Sequence, residues 1–120
     1  MALKRAREAS SPEDGVRILV DRLWPRGMTR DQVGVDLWLK DAAPSTALRR
    51  WYGHDPRRWA AFALKYRAEL SRREDLLRLL DELQRREPVT FVYDAADTVH
   101  NNAAVLRDVL AERSATRARH

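Results

Sequence analysis

The 120-residue chain has no cysteine, only four glycines, and no apolar run approaching the roughly 20 residues that a membrane helix needs. Without cysteine there can be no disulfide, no thiolate nucleophile and no Cys-ligated zinc or iron–sulfur centre. The four glycines are scattered, so no glycine-rich phosphate loop can form, and the absence of any G-x-S-x-G run removes the nucleophile elbow of the serine hydrolases. Residues 1–10 carry Lys4, Arg5 and Arg7 but no apolar stretch of the kind a secretory signal requires. The expectation is a cytoplasmic domain that does not enter a membrane. No spacing of His, Asp and Glu matches a dedicated zinc motif, so no metal residues are assigned, although two carboxylates and one histidine could hold a divalent ion.

What is present is ordinary for a folded domain: 44% hydrophobic residues, 34% charged residues, four tryptophans and a formal net charge of +5. The basic isoelectric point of about 10.2 suggests nucleic acid until the charge is located. Residues 1–8 carry +2 and residues 113–120 carry +3, whereas residues 9–112 hold 17 basic and 17 acidic side chains. The surplus therefore sits at the ends, residues 1–8 and 113–120, which are expected to be frayed. Nucleic acid is not the expected partner.

Punctuation along the chain gives the elements. Leu3–Arg7 reads as a short first strand, and the loop Ser10-Ser11-Pro12-Glu13-Asp14-Gly15 follows it. Val16–Asp21 is a nearly continuous apolar and β-branched run, as in a strand covered on both faces, and Pro25 and Gly27 shape the turn that follows. Asp36–Lys40 reads as a short strand or extended segment. Ser45 is a helix N-cap and Gly53 occupies the C′ position of the same helix, while Asp55-Pro56 opens the next. Trp59, Phe62, Tyr66 and Leu70 recur at spacings of three, four and four, which is a core stripe. Arg72–Arg86 forms a third helix with Leu76, Leu80 and Leu83 inward and the pairs Glu74/Arg78 and Glu82/Arg86 on its wet side. Val89–Tyr93 is the most strand-like segment, and Ala103–Leu110 is amphipathic and helical. The order predicts an α/β fold: a small single domain, 1–120, with a short, mainly parallel sheet flanked by helices.

Ligands of open α/β sheets bind beyond the carboxyl ends of the strands. Two polar segments follow strands here, 21–27 and 94–102. Parallel neighbouring strands would bring them together and pool Asp21, Arg22, Trp24 and Arg26 with Asp94, Asp97, His100, Asn101 and Asn102. Arginine offers a planar fork of donors for phosphate or carboxylate, and Trp24 could stack on a ring. Asp21, Asp97 and His100 are the candidates for moving protons, because an unperturbed histidine suits general acid or base work and Asp94 and Asp97, at i, i+3, could share a face and split their pKa values. Arg22, Trp24, Arg26, Asn101 and Asn102 are the candidate ligand-binding residues. Each has a structural alternative: Asp97 or Thr98 as a helix cap, Asn101 or Asn102 as partners of the first helical amides, Asp21 as a loop brace.

The run Gly15–Gly27, with its D-R-L-W-P-R-G heptad, then Trp38 with Lys40, Ala43-Pro44-Ser45, Leu48-Arg49, and Tyr93 with His100-Asn101-Asn102-Ala103 resemble the YeaO-like proteins, the family named domain of unknown function 488. The resemblance covers about residues 3–112. It implies a compact cytoplasmic α/β protein of prokaryotes with no established reaction, and it supplies matched positions rather than catalytic residues. The loop after the last strand departs from the pattern: Asp94 and Ala96 stand where the family has a small residue and a cation. That change puts more of any anion binding on Arg22 and Arg26, with Lys40 or Arg49.

Three functions are compatible with these residues. The first is an enzyme acting on a small phosphate- or nucleobase-bearing substrate, the second a non-catalytic module binding a small anionic ligand or a protein partner, and the third nucleic-acid binding through the basic ends. Residue types leave the cofactor and the oligomeric partner open.

Overall fold

The computed structural model describes residues 1–118. In chain order the elements are β1 (Ala2–Arg5), β2 (Val16–Leu19), α1 (Arg30–Val33), β3 (Leu37–Trp38), α2 (Thr46–Tyr52), α3 (Trp59–Ser71), α4 (Glu74–Arg86), β4 (Val89–Tyr93) and α5 (Asn102–Ala118). The four strands form one wholly parallel sheet in the order β1-β4-β2-β3. The last strand is thus inserted between the first two. This is the expected α/β class.

The sheet is covered unequally. Val16, Ile18 and Val20 from β2 and its end alternate with Leu19, and Val89, Phe91 and Tyr93 of β4 alternate with Val92, as the two-residue period of a strand requires. The first set joins the large core beneath α3, α4 and α5, with Phe62, Tyr66, Leu70, Leu77, Leu80, Leu106 and Leu110. The second set joins a small cluster of Ala6, Leu19, Val33 and Val92, roofed by Trp24, Met28, Val35 and Trp38. All five residues of β4 are buried, as expected of a central parallel strand.

Arg17 points to the thinly covered face and is only 4% exposed. Its Nη1 donates to Asp14 Oδ2 at 2.6 Å, its Nε to Gly34 O at 2.9 Å and its Nη2 to Val33 O at 2.9 Å. One guanidinium thereby satisfies two carbonyls at the end of α1 and pairs a buried acid. Lys4 Nζ holds the other Asp14 oxygen at 2.8 Å.

Helix boundaries follow the chemistry expected of them. Ser45 Oγ accepts from Leu48 N–H, and Gly53 ends α2 with φ +54° in the left-handed region. Asp55 caps a 3₁₀ turn, Pro56–Arg58, that leads into α3. Glu69 near the end of α3 reaches back to accept from Ser45 N–H and Oγ–H at 2.8 and 2.5 Å, tying α2 to α3.

Three expectations are corrected. The strand expected over Val16–Asp21 stops at Leu19, and the first strand spans Ala2–Arg5 rather than Leu3–Arg7, because pairing with β4 ends where the loops diverge. Leu76 and Leu83 pack against the core as expected, partly buried, and Leu77 joins Leu80 as a buried residue of α4. Glu74 does not pair with Arg78; it takes both Nη groups of Arg113 at 3.0 and 2.9 Å. The segment expected to fray from residue 113 continues α5 to Ala118, because Arg113 finds Glu74 and Arg117 finds the buried Asp81. Arg119 and His120 of that basic end lie outside the described residues.

Candidate functional site

Because β2 and β4 are parallel neighbours, with Leu19 beside Val92 and Val20 N–H on Val92 O at 3.1 Å, the segments after them leave the sheet side by side. Asp21 joins them. Its Oδ2 accepts from Asp94 N–H at 2.9 Å and its Oδ1 from Asn102 Nδ2 at 3.1 Å. The same Asn102 amide donates to Val20 O at 2.9 Å, and Asp21 O accepts from Trp38 Nε1–H at 2.7 Å. The Asp21 carboxyl is consequently fixed by the segment after β4 and by the first residue of α5, and its backbone by β3. Burial raises its pKa above the ordinary aspartate value and the Asp94 charge adds to the rise; the Asp94 N–H, Asn102 and, more distantly, Arg49 oppose it.

This shift sets a pH dependence. A carboxyl with a raised native pKa holds more protons in the folded state between its unfolded and folded values, so stability falls as pH rises through that window. Asp21→Asn removes the titration. The wild-type melting temperature measured relative to Asp21→Asn should therefore rise as pH is lowered from 7 toward about 4. A constant difference across that range would show that Asp21 titrates as it does in the unfolded chain.

Two cations of this region, Arg22, next to Asp21 in the chain, and Arg49, have no acidic partner within ion-pair distance among the described residues. Arg22 Nε donates to Pro44 O at 3.2 Å, and its two Nη groups have no protein partner among the described residues. Arg49, on the exposed side of α2, makes no ion pair or side-chain hydrogen bond among the described residues, yet its charge reaches Asp21.

The other expected residues are not all gathered here. Trp24 turns to the thin face of the sheet, where its ring meets that of Trp38 edge-on at 5.3 Å and its Nε1 donates to Met28 O at 2.7 Å. It does not face the Asp21 carboxyl. Arg26 is exposed and contributes its carbonyl to Arg7 at 3.1 Å. Lys40 lies over the Trp38 ring, 4.2 Å from its centre. Asn101 is buried and is the cap of α5, its Oδ1 accepting from Ala104 N–H at 2.9 Å. Asp97 accepts from the Val99 and His100 N–H groups, which hold its pKa below the ordinary value. Asp94 turns toward Arg7, whose Nε lies 3.4 Å from its Oδ1.

His100 stands at the rim. Its ring stacks on Trp59 with centres 5.0 Å apart and planes at 24°, and its Nδ1 is 3.7 Å from Asp97 Oδ2. Sequence reasoning assigned Trp59 wholly to the core, but it is the first residue of α3, so its ring reaches the end of the stripe and lies half-buried. The aromatic next to the candidate histidine is thus Trp59 rather than Trp24. Grooves of about 580 Å³ between α3, α4 and α5 and about 320 Å³ beside Trp24 and Trp38 do not include Asp21. Among the described residues no three His, Asp or Glu side chains gather in a metal-binding group.

Compared with known families, residues 1–120 match the model described as the inactive DUF488-N3 subclade. The chain belongs to the YeaO-like DUF488 family. Within this family it is 39% identical over 107 residues to "Uncharacterized protein YeaO" of Escherichia coli (strain K12), covering 89% of this chain and 93% of that one. It is 42% identical over 106 residues to "Uncharacterized protein Rv3073c" of Mycobacterium tuberculosis and to "Uncharacterized protein Mb3100c" of Mycobacterium bovis, covering 88% of this chain and 89% of each of those. No solved structure matches. Among the described residues no helix is long and apolar enough to cross a membrane.

Proposed function

We propose that this chain is a non-catalytic module that takes a small phosphate- or carboxylate-bearing ligand in the crevice beyond β2 and β4. The observation that carries this reading is the division of labour around Asp21. Both carboxyl oxygens are engaged in bracing the two loops, while Arg22, next in the chain, and Arg49, whose charge reaches Asp21, keep donors and charge to spare. The bond to Pro44 O holds the Arg22 guanidinium, and a pre-positioned guanidinium suits a bidentate oxyanion. The description of the matching family as an inactive subclade agrees with a binding role.

A catalytic reading, an enzyme acting on a phosphate- or nucleobase-bearing substrate, has one observation in its favour: His100 lies near Asp97 with its ring half-exposed. The Asp97 oxygen nearest the imidazole is 3.7 Å away, beyond hydrogen-bonding distance, so it does not orient the ring as a general base requires.

A melting-temperature screen against phosphate, sulfate, nucleotides and dicarboxylates tests the proposal. An anion present at about 100 times its Kd should stabilise the wild type by about 2.7 kcal/mol, and Arg22→Ala should lose that increment. Turnover of any screened compound that is abolished by His100→Ala would overturn it in favour of the enzyme. Absence of any anion-dependent stabilisation would overturn both.

A further inference from the structure

Charge summed over residues 9–112 is zero, but it is not evenly spread. Residues 43–68 contain six basic side chains, Arg49, Arg50, Arg57, Arg58, Lys65 and Arg67, against one acid, Asp55. Of these, Arg67 is paired with Glu112; in the last helix Arg113 is paired with Glu74 and Arg117 with Asp81. In the segment from α2 to α3, Asp55 is shared between Arg57 and Arg58, and neither Arg50 nor Lys65 has an ion pair among the described residues. Residues 43–68 thus carry a net charge of +5 within a body, 9–112, that sums to zero, so the positive charge of that body is concentrated in this segment.

An aromatic ring sits in the middle of it. Trp51 is 38% exposed, although a tryptophan in a well-packed domain is normally covered. The Arg58 guanidinium lies 5.1 Å from the centre of its ring and the Lys65 ammonium 5.2 Å. Arg58 also donates to the Trp51 carbonyl, which fixes the guanidinium against α2. The end of α2, the 3₁₀ turn and the middle of α3 thus bring two cations to one exposed ring.

We infer that this face, centred on Trp51, Arg58 and Lys65 with Arg50 and Arg57 at its margin, binds single-stranded nucleic acid. A nucleobase stacks on an exposed indole whatever its identity, and cations flanking the ring meet the phosphates on either side of that base. A free phosphate would use the charges and leave the ring idle; an acidic peptide offers carboxylates but no obligatory planar group. A duplex keeps its bases stacked inside and cannot use Trp51. The face does not include Arg22 or Asp21, so it is independent of the crevice proposed above.

The test uses the full chain and a fluorescein-labelled (dT)20 oligonucleotide in an anisotropy titration near 50 mM salt. Binding should weaken as salt is raised, with a log–log slope near −2 for about three displaced counterions on a single strand. Trp51→Ala should weaken binding at least fivefold through lost stacking. Lys65→Glu should weaken it at least tenfold without moving the melting temperature appreciably, and Trp51→Ala is titrated at a temperature where circular dichroism shows it folded. Arg86→Glu, an equal change of net charge at the exposed end of α4, should leave the affinity within twofold. The inference is overturned if (dT)20 does not bind, if Arg86→Glu costs as much as Lys65→Glu, or if Trp51→Ala has no effect. Tighter binding to vesicles containing phosphatidylserine, or to poly-glutamate of equal charge, with the same sensitivity to Trp51 and Lys65, would also overturn it by assigning the face to another partner.

Discussion

Replacing Arg17 with methionine is expected to lower stability by about 3–5 kcal/mol, a large share of the roughly 5–15 kcal/mol that holds a domain of this size together. The reason is the environment left behind. Asp14 is 5% exposed and would keep only Lys4 as a cation, while the carbonyls of Val33 and Gly34 would lose their donors beneath the thin face of the sheet. Methionine fills much of the volume but satisfies none of these groups. Denaturant titration reads the loss directly. Adding Asp14→Asn to Arg17→Met should recover part of it, since the uncompensated charge is removed and an amide oxygen can still accept from Ser11 N–H as Asp14 now does. A loss below about 1 kcal/mol would mean that the pair is solvated in solution and contributes as surface pairs do.

The same cluster governs the acid limb. The Lys4 ammonium first, then the Ser11 N–H and the Arg17 guanidinium, hold the Asp14 pKa down to about 2 against the opposing effect of burial. A carboxyl with a lowered native pKa contributes stability that is complete above its unfolded value and is lost as pH falls. The Asp14 contribution should therefore vanish from about pH 4 downward toward pH 2, opposite in sign to that of Asp21. In Arg17→Met this limb should begin at higher pH and still be present, because Lys4 remains.

The cluster also shows what local sequence signals can and cannot convey. Ser45, Gly53 and Asp55 announced their helix ends because a cap is a contract between residues a few positions apart, and Val89–Tyr93 announced a buried strand by composition. Nothing local encodes that β4 lies between β1 and β2, which is what places Asp21 against Asp94 N–H and Asn102. Asp21, Arg22 and Asn102 were legible as loop residues at strand ends; Trp24 was misplaced because proximity in sequence does not say on which side of the sheet a loop will fold. Nothing near Arg17 in the sequence indicates its partners, which the end of α1 and Asp14 supply once the fold brings them together. The basic face around Trp51 escaped a different way. A charge sum is blind to position, and the arginines at 113 and 117 that dominated the arithmetic are those the fold pairs with acids.

Gly15→Ala is expected to be the most damaging of the glycine substitutions, costing about 3 kcal/mol or more and reducing the yield of folded protein. Gly15 has φ +65° and ψ −134°, a region that L side chains avoid. An added Cβ would also lie 2.1 Å from Pro88 O, an approach that backbone must yield to. That carbonyl accepts from Val16 N–H at 2.9 Å and so opens the β2–β4 ladder, whose first register pair is Val16 with Val89. Moving it would strain the ladder at one end and shift the Pro12–Asp14 turn that carries Asp14 to Arg17. Gly27→Ala is the matched comparison: φ is +76°, but nothing stands within 4 Å of its added Cβ. Its cost should be the left-handed penalty alone, about 1–2 kcal/mol. Equal losses for the two variants in urea would show that backbone conformation outweighs the contact with Pro88. A clear excess at Gly15 places the specification of the β2–β4 register, and with it the position of Asp21 at the end of β2, in a glycine that touches neither the crevice nor its arginines.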